Sequence, residues 1–235
     1  MDKKQIRVKP FNAAWWIIFI CQFLLVFLLK FIFRNSSYTE TYKFMTEFSI
    51  FNLIYLVVYK FTLSKTKGFD FNFWNELPFY LCNVGSIFAY LALKFNDKTM
   101  MAFCYCVGTV GALMGYFMPS KKFINAPLFS SKIIGFYGYH GLLIVINLSF
   151  RTLGIYQPSV NDLMGVIYLC IIVVLVAHIV NMILRHTIYP EANYIFTYEP
   201  TNVVLAKVYK ICPVKCIYLY LLLPVVAILF LIMCI

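Results

Sequence analysis

The sequence predicts an all-α polytopic membrane protein: a seven-transmembrane helix bundle with its N-terminus in the cytoplasm and its C-terminus outside. Three observations lead there. Of 235 residues, 63% are hydrophobic and 12% charged, about half the charged share of an ordinary soluble domain. Seven segments approach the roughly 20 apolar residues a helix needs to cross a bilayer. Lys and Arg fall unequally on the two sides of those segments.

The spans follow in chain order as one domain over residues 1–235. Ala13–Phe33 comes after a basic N-terminus. It is too long for a signal-peptide core and no small-residue cleavage site follows, so it reads as an uncleaved first span. Met45–Leu63 is the weakest, with Glu47, Asn52 and Lys60 inside it. Leu77–Leu93 is expected to begin with Pro78 in its first turn, where a missing N–H costs little. Thr99–Met118 carries Gly108, Gly111 and Gly115, and Ile133–Phe150 carries Gly135, Gly138 and Gly141. Small residues let helices approach closely in lipid, so spans three to five belong at the bundle centre. Leu163–Leu184 and Ile217–Ile235 complete the set. The aromatic loop between them is expected to run along the inner surface through Val203–Tyr209. Apolar runs this long exclude a transmembrane β-barrel, whose strands alternate.

The net charge is +11. One side of the spans holds Lys3, Lys4, Arg7 and Lys9, then Lys60, Lys65, Lys67, Lys121, Lys122, Lys132, Arg185, Lys207, Lys210 and Lys215. The other holds Lys30, Arg34, Lys43, Lys94, Lys98 and Arg151. The positive-inside rule assigns the richer side to the cytoplasm. That side suits anionic lipid headgroups, and the scatter of charges between spans argues against nucleic acid. The eight cysteines are dispersed. Their spacing fits neither a disulfide framework nor a zinc site, and most suit apolar packing.

Ionisable and amide groups inside spans are expensive and ask for partners. His140, Asn147 and Arg151 share one face of the fifth span; His178, Asn181 and Arg185 share one face of the sixth. Cys82 and Asn83 lie about one turn into the third, behind Glu76. With a rise of 1.5 Å per residue, Cys82 lies roughly 8 Å and His140 roughly 10 Å inside their spans. His178 and Asn181 fall roughly 9 Å and 5 Å before the end of theirs. One layer under the inner leaflet therefore gathers a thiol, imidazoles and amides. An imidazole can take a thiol proton and an amide can orient the imidazole. A membrane cysteine is more often a packing residue, however, and a membrane His or Asn more often interhelical glue. No metal-ligand spacing is present.

Leu77-Pro78-Phe-Tyr80-Leu-Cys82-Asn83 resembles the Leu-Pro-x-His-x-Cys-Asp motif of the YwaF-type bacterial integral membrane proteins. Gly111-Ala112-Leu113 with Pro119, Tyr139-His140-Gly141, Asn181, and Asn193-Tyr194-Ile-Phe196 resemble further landmarks in the same order. That family is similar to an animal transmembrane acyltransferase group of ether-phospholipid (plasmalogen) metabolism, whose cysteine carries the acyl chain. It is more distantly similar to lipid hydrolases related to the androgen-induced protein, which use Thr and His. The resemblance implies Cys82 as nucleophile, His140 as base and Asn181 in the catalytic set. Tyr80, Asn83, His178, Arg185, Asn193 and Tyr194 would line the substrate chamber. It implies a membrane phospholipid or lysophospholipid substrate, no cofactor, and a bacterial cytoplasmic membrane. Tyr80 and Asn83 depart from the motif's His and Asp, and an uncharged Asn supports an imidazolium less than a carboxylate does.

Two other functions compete. A small-solute transporter or channel would use the polar stripes of spans five and six, with Asn147 and Arg151 at the outer mouth; no inverted repeat accompanies them. A non-catalytic scaffold would leave Cys82 dry or facing lipid.

Overall fold

The computed structural model describes residues 6–201 and 203–235; the expected basic residues Lys3 and Lys4 lie outside them. Its helices are α1 (Ala13–Ile32), α2 (Tyr38–Lys65), α3 (Leu81–Phe95), α4 (Lys98–Phe117), α5 (Ser131–Thr152), α6 (Leu163–Thr187), α7 (Val203–Ile211) and α8 (Ile217–Cys234). Six of them, all but α3 and α7, are long and apolar enough to cross a membrane. This is an all-α polytopic membrane protein. α3 is a shorter apolar helix of 15 residues, about 22 Å long.

Local chemistry sets the helix starts. Asn12 accepts from Trp15 N at the head of α1. Ser37 and Glu40 form a reciprocal capping box on α2, which is why that helix begins well before the expected Met45. Asp97 caps α4 and Ser130 caps α5. Asn96, left-handed at φ 52°, closes α3 and reverses the chain within two residues.

The start of α3 corrects an expectation. Pro78 is not in its first turn. Asn72 caps a short 3₁₀ turn over Phe73–Glu76, and Leu77 is extended (φ −60°, ψ 154°). A residue before proline is pushed out of the helical region, and Tyr80 is extended as well (φ −72°, ψ 149°), so the helix begins only at Leu81. α3 thus opens further into the bundle than a helix starting at Leu77 would.

α5 is buried along most of its length, while α1, α6 and α8 present most of their side chains outward. That division is what a bundle in lipid requires, since apolar side chains are tolerated on both sides. Glycines set the approach to α5's neighbours. Gly85 of α3 meets the Gly108 backbone of α4, Gly111 of α4 seats Leu81, and Gly115 seats His140. Residues Cys104–Gly108 within α4 form a π-helical turn. Near the N-terminus, β1 (Arg7–Val8) pairs antiparallel with β2 (Ala126–Pro127), tying the chain's start to the α4–α5 connection.

Candidate functional site

Cys82 is half-buried and occupies the second position of α3. The residue at the N-cap, Tyr80, provides no side-chain cap. The first N–H groups of α3 therefore lack intrahelical partners. Cys82 Sγ donates to Asn83 Oδ1 at 3.7 Å. A helix N-terminus favours negative charge, while burial among apolar side chains favours the neutral thiol.

A chain of hydrogen bonds fixes that turn to its neighbours. Asn52 Nδ2 of α2 donates to Ser86 Oγ at 3.0 Å. Ser86 Oγ shares a 2.8 Å bond with Tyr139 OH of α5, which donates to the Cys82 carbonyl at 2.9 Å. Lys60 and Glu76 form a largely buried ion pair. Both act electrostatically on the thiol with opposite sign, and Lys60 also acts on His140. Lys60, placed above inside the second span and counted with the charges of one side, thus lies among the candidate groups. Asn52 and Lys60 are eight residues apart on one face of α2, a signal available in the sequence. Tyr139 carried no such signal apart from its place beside His140.

His140 is 6% exposed. Its Nδ1 lies 2.8 Å from the Phe136 carbonyl. A carbonyl only accepts, so Nδ1 bears the proton and Nε2 is the basic nitrogen. The ring packs over Phe136 and beside Tyr139, with centroids 4.4 and 5.2 Å away. Gly115 makes room for it: a Cβ there would lie 2.5 Å from Cδ2 and 2.7 Å from Nε2. Leu81 and His140 rest on Gly111 and Gly115 of the same helix, four residues or about 6 Å apart along it. Thiol and imidazole are thus about one turn apart in depth. Among the described residues no hydrogen bond joins them.

Asn181 belongs to a second cluster. Its Nδ2 donates to the Tyr194 carbonyl (2.9 Å) and Thr197 Oγ1 (2.8 Å), and its Oδ1 accepts from Tyr194 N (2.8 Å). His178 Nδ1 lies 3.1 Å from Thr197 Oγ1. Arg185 Nη1 donates to the Ala192 carbonyl at 3.0 Å. Asn193 folds the same loop, donating to the Glu199 carbonyl and accepting from Tyr198 N. These side chains pin the loop after α6; Asn181 orients no imidazole through a hydrogen bond. Thr197, the shared partner of His178 and Asn181, was not foreseen.

Tyr80 and Tyr194 join the two clusters. Their rings meet edge to face at 5.2 Å, and Tyr80 OH donates to Asn75 Oδ1 at 2.8 Å. Burial, then the nearby Tyr189 and Glu76, hold the Tyr194 phenol well above its ordinary pKa. An apolar groove of about 290 Å³ opens between α3 and α6, lined by Pro78, Phe79, Val84, Ile87, Phe88 and α6 side chains. At 100° per residue it lies on the face of α3 opposite Cys82. Among the described residues no three His, Cys, Asp or Glu side chains gather as a metal site.

With this geometry in hand, a family model described as the TMEM164 family matches residues 10–234. The chain belongs to the TMEM164 family. The match runs through every helix described above, and TMEM164 membership is compatible with a lipid-related membrane protein. No curated protein and no solved structure matches the chain.

Proposed function

We propose that this TMEM164-family chain is a lipid acyltransferase or acyl hydrolase acting through a thioester on Cys82, and that it is of the YwaF type in a bacterial cytoplasmic membrane. The observation that carries the reading is the sulfur in the uncapped first turn of α3, where Tyr139 of α5, the neighbour of His140, holds the Cys82 carbonyl. N–H groups of that first turn, which have no intrahelical partner, can hold the oxyanion of an acyl-transfer intermediate.

In the first step Sγ attacks the ester carbonyl of a membrane phospholipid. The thiol proton passes to His140 Nε2, the C–O bond breaks, and the lysolipid alcohol leaves with that proton. In the second step a lysophospholipid alcohol or water attacks the thioester, giving up its proton to the imidazole. The sulfur leaves and regains a proton. The imidazole approaches the thiol when substrate binds, since catalytic hydrogen bonds often tighten only in the reacting complex. Asn83, Tyr80 and Tyr194 line the entry from the membrane surface. α3 counts as the seventh span, with the N-terminus inside and the C-terminus outside.

The test is acyl capture. Membranes holding the full chain are fed a clickable fatty acid, and hydroxylamine-labile label is measured. Wild type should carry it, and Cys82→Ser should lose it while retaining its thermal stability. Label of equal intensity on Cys82→Ser would remove the nucleophile and the mechanism with it.

A further inference from the structure

We infer that the membrane face where α6 ends carries a discrete site for an anionic lipid headgroup, built around Tyr198 and separate from the thiol. Tyr198 is a buried aromatic, 9% exposed. The Arg185 guanidinium and the Lys215 ammonium each lie 4.5 Å from its ring centroid. The two charges are therefore at most twice that distance apart. The His178 ring lies 5.1 Å away. Among the described residues neither cation forms an ion pair. Two like charges gathered on one ring repel each other, and an anion between them relieves that repulsion.

The backbone holds the arrangement under strain. Ile195, Phe196 and Cys216 all have left-handed backbones, with φ of 52°, 61° and 60°. For a β-branched residue such as Ile195 that is a true outlier. These residues flank Tyr198 and adjoin Lys215. Cys216 N donates to the Thr197 carbonyl at 2.6 Å, and Tyr218 OH bonds the Phe196 carbonyl. Strain of this kind persists only where surrounding contacts over-determine it, and it concentrates at ligand clamps. Here it brings Lys215, from the end of one loop, to the ring that Arg185 already covers.

The surroundings identify the ligand as a lipid rather than a soluble phosphate. α7 lies next to the cluster in sequence and exposes Val203 (70%) and Ile211 (78%), and Val214 is exposed beyond it. Apolar side chains interleaved with Lys207 and Lys210 suit a segment lying in the headgroup layer. A phosphate reaching Arg185 and Lys215 there would arrive with acyl chains beside it. The inference does not rest on acyl transfer.

The experiment titrates the purified full chain in detergent with dioctanoyl phosphatidylglycerol and dioctanoyl phosphatidylcholine, and measures binding by thermophoresis. Wild type should prefer the anionic lipid by roughly tenfold. Arg185→Gln with Lys215→Gln should abolish the preference, and Arg185→Lys with Lys215→Arg should restore it. If the double Gln variant unfolds, Lys215→Gln alone, at an exposed position, should still cut the preference by about threefold. A preference unchanged in these variants would overturn the site. So would an equal loss in Lys94→Gln with Lys98→Gln on the opposite face, which would mean diffuse attraction. Displacement by inorganic phosphate as effective as by phosphatidylglycerol would overturn the lipid assignment.

Discussion

The turn that opens α3 and the loop that follows α6 are both polar, both inside an apolar bundle, and joined by the Tyr80–Tyr194 contact. They treat their polar atoms in opposite ways. In the loop, Asn181 engages through both amide atoms, and every bond it makes holds backbone or Thr197. In the turn, the hydrogen bonds hold the Cys82 carbonyl through Tyr139 and Ser86, while no side chain caps the N–H groups beside the sulfur. Saturated amides stabilise, whereas donors left open beside a nucleophile can take up the charge of an intermediate. The contrast separates a structural cluster from a chemical one among residues that look alike in the sequence.

Four experiments test that contrast, from the largest expected effect to the smallest. Asn181→Leu leaves Tyr194 N unpaired and takes one donor each from the Tyr194 carbonyl and Thr197 Oγ1, so thermal unfolding in detergent should show a loss of about 2–4 kcal/mol. Maleimide should alkylate Cys82 at the wild-type rate in the protein that remains folded; a changed rate would merge the two clusters. Gly115→Ala drives a methyl into the His140 ring. Acyl labelling should fall on the order of 100-fold with alkylation unchanged, and full labelling would dismiss His140 as the base.

Lys60 and Glu76 act on the thiol with opposite sign. Lys60→Met should slow alkylation and Glu76→Gln should speed it, each by roughly threefold. Shifts in the same direction would mean that the pair acts only through packing. Ser86→Ala removes one link of the Asn52–Tyr139 chain. It should cost about 0.5 kcal/mol of stability and leave alkylation unaltered.

The membrane-spanning helices were legible because hydropathy is a property of local composition. The site was legible only in part. Cys82 and His140 stand out in the sequence as polar groups in one layer, but that His140 and Leu81, the neighbour of Cys82, rest on Gly115 and Gly111 is a matter of tertiary packing. The start of α3 was not legible, because Pro78 is compatible with a first turn there and it is the extended backbone at Tyr80 that moves the helix to Leu81. The role of Asn181 was not legible. Its partners lie 13 and 16 residues away, across a loop whose left-handed Ile195 and Phe196 no propensity would foretell. Lys60 was hidden by the charge count, which sorts residues by side and says nothing of what a long side chain reaches.

The π-helical turn at Cys104–Gly108 has a consequence for how this chain tolerates insertions and deletions. Such a turn amounts to one additional residue threaded into an α-helix, and a single residue shifts azimuth by about 100°. The half of α4 nearer Pro119 is aimed by that extra residue. Removing any one position from the turn would swing Gly111 and Gly115 away from Leu81 and His140 and present bulky side chains in their place. Chain length across this short interval is therefore under tighter geometric control than the identity of the residues in it.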